Sequence, residues 1–334
     1  MNETPRILVT RLRFMGDIIL TTPVLQALRD HFPHAHITYM AQAPYHTLLF
    51  NHPAVDHILF YGNSLKSQIQ TVRYLIRNKF DIAIDLFGNP RSAWLTLLSG
   101  AKIRIGGDFR GRRMAYSHPV RQDGRNTTAI QFHMAYLQPL GIFREPEWPG
   151  IYLDKKETEW AEQYLRKKGY DPARPIVGIH PGATWPAKRW SNVRYAELVK
   201  YIASEPGVQV FITMGPEEQQ IIEPILSMNP DLKLQPETMS IREMAAIISR
   251  MQVFISNDAG PMHLGPALGV RTIGLFGPGE PEIWFPYSTR EEHQVIHHEL
   301  ICSRCHQDFC DKMHCMSAIS VDEVLSAVKK ALVA

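Results

Sequence analysis

One stretch near the C-terminal end constrains the fold more than any other part of the chain. Residues 253–282 read VFISNDAGPMHLGPALGVRTIGLFGPGEPE, two short apolar runs separated by a turn and a helix-compatible stretch. The pattern is typical of a buried strand, a short helix starting near Pro261 and a second strand, which together form one βαβ unit. Such a unit implies parallel strands joined by a crossover helix. The sequence therefore predicts an α/β fold.

The turn inside this unit is the first candidate binding site. Asp258, Ala259 and Gly260 follow the first strand, and His263 lies one helical turn later. Because backbone N–H groups and the positive end of a helix dipole meet at such a turn, a phosphate or diphosphate is favoured there. Asp258 could equally act only as the helix N-cap, and His263 only as a packed helix residue. Both interpretations stay open on this stretch alone.

Composition and charge narrow the class of protein. The chain has 334 residues, 45% of them hydrophobic, which is enough for two domains with large cores. Its apolar runs are shorter than a membrane span, and MNETPRILVT lacks the apolar core of a signal peptide, so we expect a soluble cytoplasmic protein. Residues 1–150 carry 17 Lys and Arg against 10 Asp and Glu, whereas residues 151–334 carry 19 against 23. The first half is therefore suited to an anionic partner.

The N-terminal half shows the same alternation of strands and helices. The strand RILVT precedes Gly16 and Asp17, which lie at a strand-to-helix turn where α/β folds place their ligands. The pattern predicts further strands at 36–41, 56–61 and 81–87 and helical segments at 44–51 and 64–79. We therefore expect a second doubly wound sheet.

A basic segment follows this predicted sheet. Its cations are interleaved with glycine and aromatic residues, and four of them lie in IRIGGDFRGRRMAY. Such a cluster is either a solvated surface or a loop that holds phosphates or carboxylates. It lacks the length and aromatic regularity of a nucleic-acid-binding module, so we expect no nucleic acid partner. The cations are Arg91, Lys102, Arg104, Arg110, Arg112 and Arg113.

The second half carries more polar residues just after predicted strands. A Pro- and Gly-containing segment between Gly141 and Asp154 is the predicted linker. After it, the strand PIVGIH runs into a loop with Thr184, Lys188 and Arg189, in which Lys188 is a natural point charge for a phosphate. The strand VQVFITMG is followed by two glutamates, Glu217 and Glu218, which suit ribose hydroxyls or simply favour the next helix N-terminus.

Four motifs in fixed order carry a family resemblance that covers essentially the whole chain. They are RFMGDIILTTPVLQAL, HPGATWPAKRW, SNDAGPMHLGPALG and the CSRCHQDFC segment near the end. Together they resemble the ADP-heptose:lipopolysaccharide heptosyltransferases, glycosyltransferase family 9. The resemblance implies the GT-B architecture, two doubly wound Rossmann-like domains facing across a cleft. Residues 1–148 would then form the acceptor-binding domain and residues 149–334 the nucleotide-sugar donor-binding domain.

The resemblance also implies roles for individual residues. Asp17 matches the family's general base, and Asp258, Gly260 and His263 match its diphosphate turn. Ala259 stands where many members have Thr, which removes one hydroxyl from the phosphate site. The remaining implied donor-binding residues are Thr184, Lys188 and Glu217, with Lys188 also catalytic, and the implied acceptor-binding residues are Arg91, Arg110, Arg112 and Arg113.

The implied reaction is the inverting transfer of a heptose from ADP-heptose to an inner-core lipopolysaccharide acceptor. We expect peripheral contact with the inner face of the inner membrane, no required cofactor and no catalytic metal, because the chain contains no Asp-x-Asp. A related transferase with another nucleotide-sugar donor, a nucleotide-sugar epimerase and a non-catalytic nucleotide-binding module remain alternatives. A nicotinamide-dependent dehydrogenase is disfavoured because no G-x-G-x-x-G follows a strand and opens a helix.

All four cysteines lie in one short segment. Their C-x2-C-x4-C-x4-C spacing allows a structural zinc site, with His306 and His314 as competing ligands, although it lacks the two paired C-x2-C knuckles of typical zinc sites. The alternative is a reduced, packed loop. The cysteines are Cys302, Cys305, Cys310 and Cys315.

Overall fold

The computed structural model describes residues 4–109, 111–121, 128–232, 236–285, 287, 290–302 and 304–333. The chain divides into two units, Met1–Tyr152 and Leu153–Ala334. The point of division lies inside the segment predicted as a linker, which has no helix or strand between Ile142 and Asp154. Each unit is built around one parallel sheet, so the predicted α/β class with two doubly wound sheets is confirmed.

The first unit contains a six-stranded parallel sheet in the order β3-β2-β1-β4-β5-β6. The chain starts in the middle of this sheet, builds to one edge and then returns to build the other, which is a doubly wound topology. The strands are β1 (Arg6–Thr10), β2 (His36–Gln42), β3 (His57–Tyr61), β4 (Ile82–Asp85), β5 (Ile103–Gly107) and β6 (His118–Val120). The α-helices are α1 (Met15–His31), α2 (Leu65–Asn78), α3 (Pro90–Leu98) and α4 (Ala129–Met134), with 3-10 helices at Tyr45–Leu49, Arg113–Ala115 and Ala135–Leu140.

The second unit contains a five-stranded parallel sheet in the order β11-β10-β9-β7-β8. The strands are β7 (Ile176–His180), β8 (Gln209–Ile212), β9 (Val253–Asn257), β10 (Arg271–Phe276) and β11 (Gln294–His297). The α-helices are α5 (Lys155–Lys167), α6 (Asn192–Ser204), α7 (Gln219–Ser227), α8 (Ile241–Ile248), α9 (Leu264–Ala267), α10 (Pro281–Trp284), α11 (His314–Ala318) and α12 (Val321–Val333). Two 3-10 helices, Pro186–Lys188 and Gly260–His263, follow β7 and β9.

The central strands of both sheets are buried along nearly their whole length because helices cover both faces. Ile7, Leu8 and Val9 of β1 and all five residues of β9 are buried. In the first unit, Leu75 of α2 and Leu95 of α3 pack with Leu8 in one cluster on one face of the sheet. Both helices therefore cover the same face and turn their other sides outward.

The structure corrects two local expectations. The segment 44–51 forms only a 3-10 helix at Tyr45–Leu49, between Pro44 and Pro53, and proline at either end limits a longer helix. Part of the basic segment predicted as a loop is strand β5, and Arg104 lies in it. Its guanidinium donates to the carbonyl oxygens of Ala101 and Ala115, so this cation holds the backbone together.

Within the described ranges, no helix combines the length and the apolar character that crossing a bilayer requires.

Candidate active site

The loops after β7 and β9 meet at the carboxyl edge of the second unit's sheet, because these strands are neighbours. The side chain of Asn257, the last residue of β9, connects the two loops. Its amide donates to the carbonyl oxygen of Pro181, and its oxygen accepts from the backbone N–H of Trp190 and the hydroxyl of Tyr195. Because all of these groups are buried, their hydrogen bonds hold the two loops in one relative position.

Lys188 and Asp258 form an ion pair at this edge. The ammonium nitrogen of Lys188 lies 2.6 Å from Oδ2 of Asp258. The carboxylate is 6% exposed and the lysine side chain 18% exposed, so the cation is the member that faces outward. Burial raises the pKa of Asp258, while the nearby ammonium of Lys188 opposes that rise. The ammonium of Lys188 is therefore accessible to a ligand, whereas the carboxylate of Asp258 is enclosed.

Two further contacts hold the loop that carries Lys188. The ammonium lies over the ring of Trp185, 4.7 Å from its centroid, which is cation–π geometry. The N–H of Ala187 donates to the carbonyl oxygen of Asp308, a bond of 3.1 Å to the cysteine-containing segment. Trp185 is 39% exposed, and the sequence analysis did not predict its contact with Lys188. The signal that could have indicated this contact is an aromatic residue three positions before the lysine.

The turn after β9 is tighter than the predicted helix. Gly260–His263 is one 3-10 turn, followed by a single α-helical turn in α9. A helix dipole this short contributes little. Pro261 has no N–H, and the N–H of Met262 donates to the carbonyl oxygen of Ala259, so an anion at this turn depends on the N–H of Gly260 and on side chains. The backbone of Gly279, in the loop after β10, also approaches the carboxylate of Asp258. A Cβ added at Gly279 would lie 2.2 Å from Oδ2 of Asp258.

His263 is buried at the end of this turn. Its ring packs near Tyr287, with 6.1 Å between the ring centroids. Burial, together with the charge of Lys188, lowers the pKa of His263 to about 3, so the imidazole is neutral at physiological pH. Among the residues that the structure describes, nothing hydrogen-bonds to Nδ1 of His263. A neutral imidazole with one unused nitrogen is able to donate to or accept from a ligand.

The two glutamates after β8 differ in placement. Glu217 is exposed, whereas Glu218 points to the sheet edge and accepts from the N–H of Gly215 at 2.6 Å. Oε1 of Glu218 lies 3.3 Å from Nε2 of His180, the last residue of β7. Burial raises the pKa of Glu218, but His180, the Gly215 amide and Arg189 outweigh it, so the net pKa is lowered. The carboxylate nearest the other loops is therefore Glu218.

Thr184 and Ala259 occupy the remaining predicted donor positions. Thr184 is exposed on the loop after β7, and Ala259 is the half-buried residue before the 3-10 turn. In this part of the chain the structure brings together Lys188, Asp258 and His263, with Ala259 in the connecting turn.

In the first unit, Asp17 lies in the first turn of α1, directly after the loop that follows β1. Its Oδ1 is paired with Nη2 of Arg11, and its Oδ2 accepts from the backbone N–H of Phe14 at 3.3 Å. Arg11 also donates to the carbonyl oxygen of Leu86 and lies over the ring of Phe87. The Asp17 carboxylate is 18% exposed and is oriented by Arg11. The sequence analysis did not predict this role of Arg11.

Three of the predicted acceptor-binding arginines lie in loops and helices after strand β4, which pairs with β1, and after strand β5, which pairs with β4. Arg91 is exposed in the first turn of α3, 5.8 Å from the ring of Tyr61. Arg112 stacks over Phe109 at 4.8 Å. Arg113 lies 3.8 Å from Asp108 and is largely exposed. The fourth predicted residue, Arg110, lies outside the described residues.

The cysteine segment supplies no assembled metal site in the part of the chain that the structure describes, where no three His, Cys, Asp or Glu side chains meet as a metal-binding group. Cys302 and Cys305 are exposed and Cys315 is buried. Burial raises the pKa of the Cys315 thiol, with the neighbouring Cys302 and Cys305 adding to the effect.

Comparison with known proteins agrees with this arrangement of sheets and loops. Lipopolysaccharide heptosyltransferase 3 of Escherichia coli is 24% identical over 293 residues, 83% of this chain and 85% of the relative. The crystal structure of a glycosyl transferase family 9 protein from Veillonella parvula DSM 2008 has 25% identity and a TM-score of 0.86, covering 100% of this chain and 99% of that chain. The structure of E. coli ADP-heptose lps heptosyltransferase II has 22% identity and a TM-score of 0.83, with 98% of each chain covered. These likenesses confirm the predicted GT-B architecture.

The family model glycosyltransferase family 9 (heptosyltransferase) matches residues 69–314. The match takes in β4 to β11, and with them every loop of the second unit described above. Because it covers well over half of the chain, the protein belongs to glycosyltransferase family 9 and is a glycosyltransferase.

Proposed function

We propose that this glycosyltransferase is an inverting heptosyltransferase that transfers a heptose from ADP-heptose to an inner-core lipopolysaccharide acceptor. The observation that carries the proposal is the Lys188–Asp258 pair at the turn after β9, where an outward-facing ammonium is held on an enclosed carboxylate. Among the similar proteins, one is called a lipopolysaccharide heptosyltransferase and another an ADP-heptose lps heptosyltransferase. These names support the choice of donor and acceptor.

The donor's diphosphate is the group that this pair and turn suit. Lys188 supplies a positive charge, the N–H of Gly260 supplies a backbone donor, and the neutral ring of His263 supplies one more polar group. As the bond from the anomeric carbon to the diphosphate breaks, negative charge grows on the departing oxygen. Donors aimed at that charge stabilise the transition state more than the ground state.

The acceptor hydroxyl requires a base, and Asp17 is our candidate. In the proposed step the hydroxyl oxygen attacks the anomeric carbon from the face opposite the diphosphate, while Asp17 takes up the hydroxyl proton. A new carbon–oxygen bond replaces the bond to the diphosphate, ADP leaves with both electrons of that bond, and the anomeric configuration inverts. The contact with Arg11 supports this role because it orients the carboxylate.

The acceptor's acidic sugars and phosphates suit the arginines that follow β4 and β5. Arg91, Arg112 and Arg113 are the described members of this set, and guanidinium groups bind phosphate and carboxylate through paired hydrogen bonds. An inner-core lipopolysaccharide acceptor is anchored in a membrane, so we propose a cytoplasmic enzyme in peripheral contact with the inner face of the inner membrane.

We further propose that catalysis needs no metal and no cofactor. Lys188 and the N–H of Gly260 can stabilise the diphosphate charge that a divalent cation neutralises in other transferases. A zinc ion bound by the C-terminal cysteines would be structural, and metal analysis of the purified protein tests it. One metal ion per chain, lost when the cysteines are replaced, would support the zinc site.

The test is a panel of nucleotide sugars and core acceptors, with products identified by mass spectrometry and the new linkage by NMR. We expect a product only when ADP-heptose and a heptose-accepting core oligosaccharide are both present, with the anomeric configuration inverted. Conversion of the donor alone would indicate an epimerase. Transfer from another nucleotide sugar but not from ADP-heptose, or retention of configuration, would contradict the proposal.

A further inference from the structure

The outward side of α2 has an unusual composition. Its buried side, with Thr71 and Leu75, packs on the first unit's sheet. At 100° per residue, Leu65, Ile69 and Ile76 lie within about 40° of one another on a flank of the helix, about 80–160° from the two buried side chains. Leu65 is 74% exposed, Ile69 42% and Ile76 58%. An exposed apolar stripe therefore runs along one flank of this helix.

Cations line this stripe. Lys66, Arg73 and Arg77 lie beside it on the same outward side of the helix, within about 120° of Leu65, and all three are exposed. α2 contains no Asp or Glu. Exposed apolar residues next to a row of cations, without acidic residues, are typical of helices that lie in the surface of a membrane.

The apolar surface continues onto α3, which packs against α2. Trp94 is 64% exposed on α3, and Met114, in the neighbouring 3-10 helix, is 91% exposed. Between them lies an open groove of about 490 Å³, lined also by Leu97 and Arg112. Tryptophan and arginine at the border of an apolar surface are suited to the interface between lipid headgroups and acyl chains.

The charge of this region is strongly one-sided. Residues 62–121 contain eleven Lys and Arg, three Asp and no Glu. One of the three aspartates, Asp85, is completely buried. Polybasic surfaces of this kind are attracted to anionic lipid, at a gain of roughly tenfold in affinity for each one or two cations near the membrane. The charge therefore favours an anionic surface as the occupant.

We infer that the outward face formed by α2, α3 and the 3-10 helix Arg113–Ala115 docks on a bilayer that contains anionic lipids. The apolar residues enter the interface, the groove between Trp94 and Met114 takes acyl-chain carbons, and the cations contact headgroup phosphates. This inference rests on the peripheral membrane contact in the proposed function and assigns it to a surface. A second copy of this face is a poor partner, since the contact would bring two strongly positive surfaces together.

Flotation with lipid vesicles tests the inference without any sugar substrate. The full chain is mixed with vesicles of phosphatidylcholine alone or of phosphatidylcholine with phosphatidylglycerol. We expect the wild-type protein to float with the anionic vesicles and to be released as salt is raised, because screening weakens the electrostatic part. Absence of binding to anionic vesicles would overturn the inference.

Two double variants separate the two parts of the contact. Arg73→Glu/Arg77→Glu should lower affinity for anionic vesicles by about 10²-fold or more. Trp94→Ala/Met114→Ala should lower it by about tenfold or more, because apolar burial is lost. All four side chains are exposed on the described surface, so folding should be preserved.

Matched controls come from exposed residues of the second unit. Lys200→Glu/Lys330→Glu makes the same change of charge, and Val193→Ala/Met228→Ala removes exposed apolar groups on α6 and after α7. These controls should float like wild type. If they lose binding equally, or if the α2 and α3 variants bind normally, this face is not the docking surface.

A transfer assay with a delipidated core oligosaccharide distinguishes this inference from the proposed function. The variants at Arg73, Arg77, Trp94 and Met114 should retain transfer to this soluble acceptor, since none of them is assigned to the reaction. Wild-type protein that binds vesicles but transfers no heptose would contradict the proposed function only.

Discussion

Replacing Lys188 with methionine should destabilise the protein more than replacing its partner Asp258 with asparagine. The carboxylate is 6% exposed and the lysine side chain 18% exposed. Removing the ammonium leaves a buried carboxylate without its counter-charge, which costs about 3–5 kcal/mol. Removing the carboxylate leaves a lysine that reaches solvent and still lies over Trp185, so the cost should stay near the ~1.5–3 kcal/mol of one charge-assisted hydrogen bond.

The cost of Lys188→Met should depend on pH in a definite direction. Burial raises the pKa of Asp258, and Lys188 opposes that rise, so without Lys188 the raised pKa moves further up. A carboxyl whose pKa is higher in the folded than in the unfolded state binds more protons when folded. Stability is then lost as pH rises from about 4, the unfolded value, to the folded pKa, by up to about 1.4 kcal/mol per pH unit. The variant should therefore keep losing stability up to a higher pH than wild type does.

Denaturant unfolding at a series of pH values measures these effects, and the double variant Lys188→Met/Asp258→Asn completes a thermodynamic cycle. It should be more stable than Lys188→Met alone at neutral pH, because no unpaired charge remains buried. Calorimetric titration adds ADP affinity, which should fall by about 10- to 10²-fold in Lys188→Met and be retained in Asp258→Asn. A flat pH dependence, or a double variant as unstable as Lys188→Met, would refute the reasoning.

Three further results are expected. Asp17→Asn should lower transfer at least about 10²-fold while leaving ADP affinity unchanged, whereas Asp30→Asn on the same helix should leave turnover intact; equal activity of both variants would reject Asp17 as the base. Gly182→Ala should cost about 1–3 kcal/mol because its Cβ would lie 1.8 Å from the Glu218 carboxylate, and adding Glu218→Ala should remove that clash penalty in a thermal unfolding assay. Transfer measured after treatment with EDTA should equal that of untreated enzyme, and activity restored only by added Mg²⁺ would contradict a metal-free reaction.

The long apolar strands could be predicted from the sequence because their pattern is strong without any tertiary information. The run predicted at 36–41 is β2 at His36–Gln42, and the run at 56–61 is β3 at His57–Tyr61. Short strands were not recognised. β6 has three residues, one of them proline, and such an edge strand carries little signal of its own. β5 was not predicted as a strand because arginine and glycine, which weaken the apolar pattern, make up three of its five residues.

The loops of the candidate site were predictable where a polar residue directly follows an apolar run, as Asp258 does after β9. Contacts between distant segments were not. The pairing of Glu218 with His180 depends on β7 and β8 being neighbours, which is known only from the topology. The contact of Arg11 with Asp17 depends on the path of the loop between β1 and α1, for which hydrophobic periodicity gives no guide.

Two buried aspartates show why burial alone does not identify a functional residue. Asp85 ends β4 and is completely buried, and Asp258 directly follows β9 and is nearly so. Oδ1 of Asp85 accepts from two backbone N–H groups, and Oδ2 accepts from the hydroxyls of Ser92 and Tyr116 at 2.7 Å each. Its carboxylate is therefore fully used within the fold and shapes the turn between β4 and α3.

Asp258 has a different set of neighbours. Within the described ranges its side chain is paired with Lys188 alone, and Lys188 reaches the surface. A bound diphosphate can therefore compete with Asp258 for the ammonium of Lys188. A ligand that competed for the four hydrogen-bond donors of Asp85 would break the turn between β4 and α3. Asp85→Asn should therefore act on folding alone, through the two hydroxyl donors that lose a charged acceptor, whereas Asp258→Asn should lower transfer in addition to its cost in stability. If Asp85→Asn lowers transfer in a fully folded protein, the distinction between these two carboxylates is wrong.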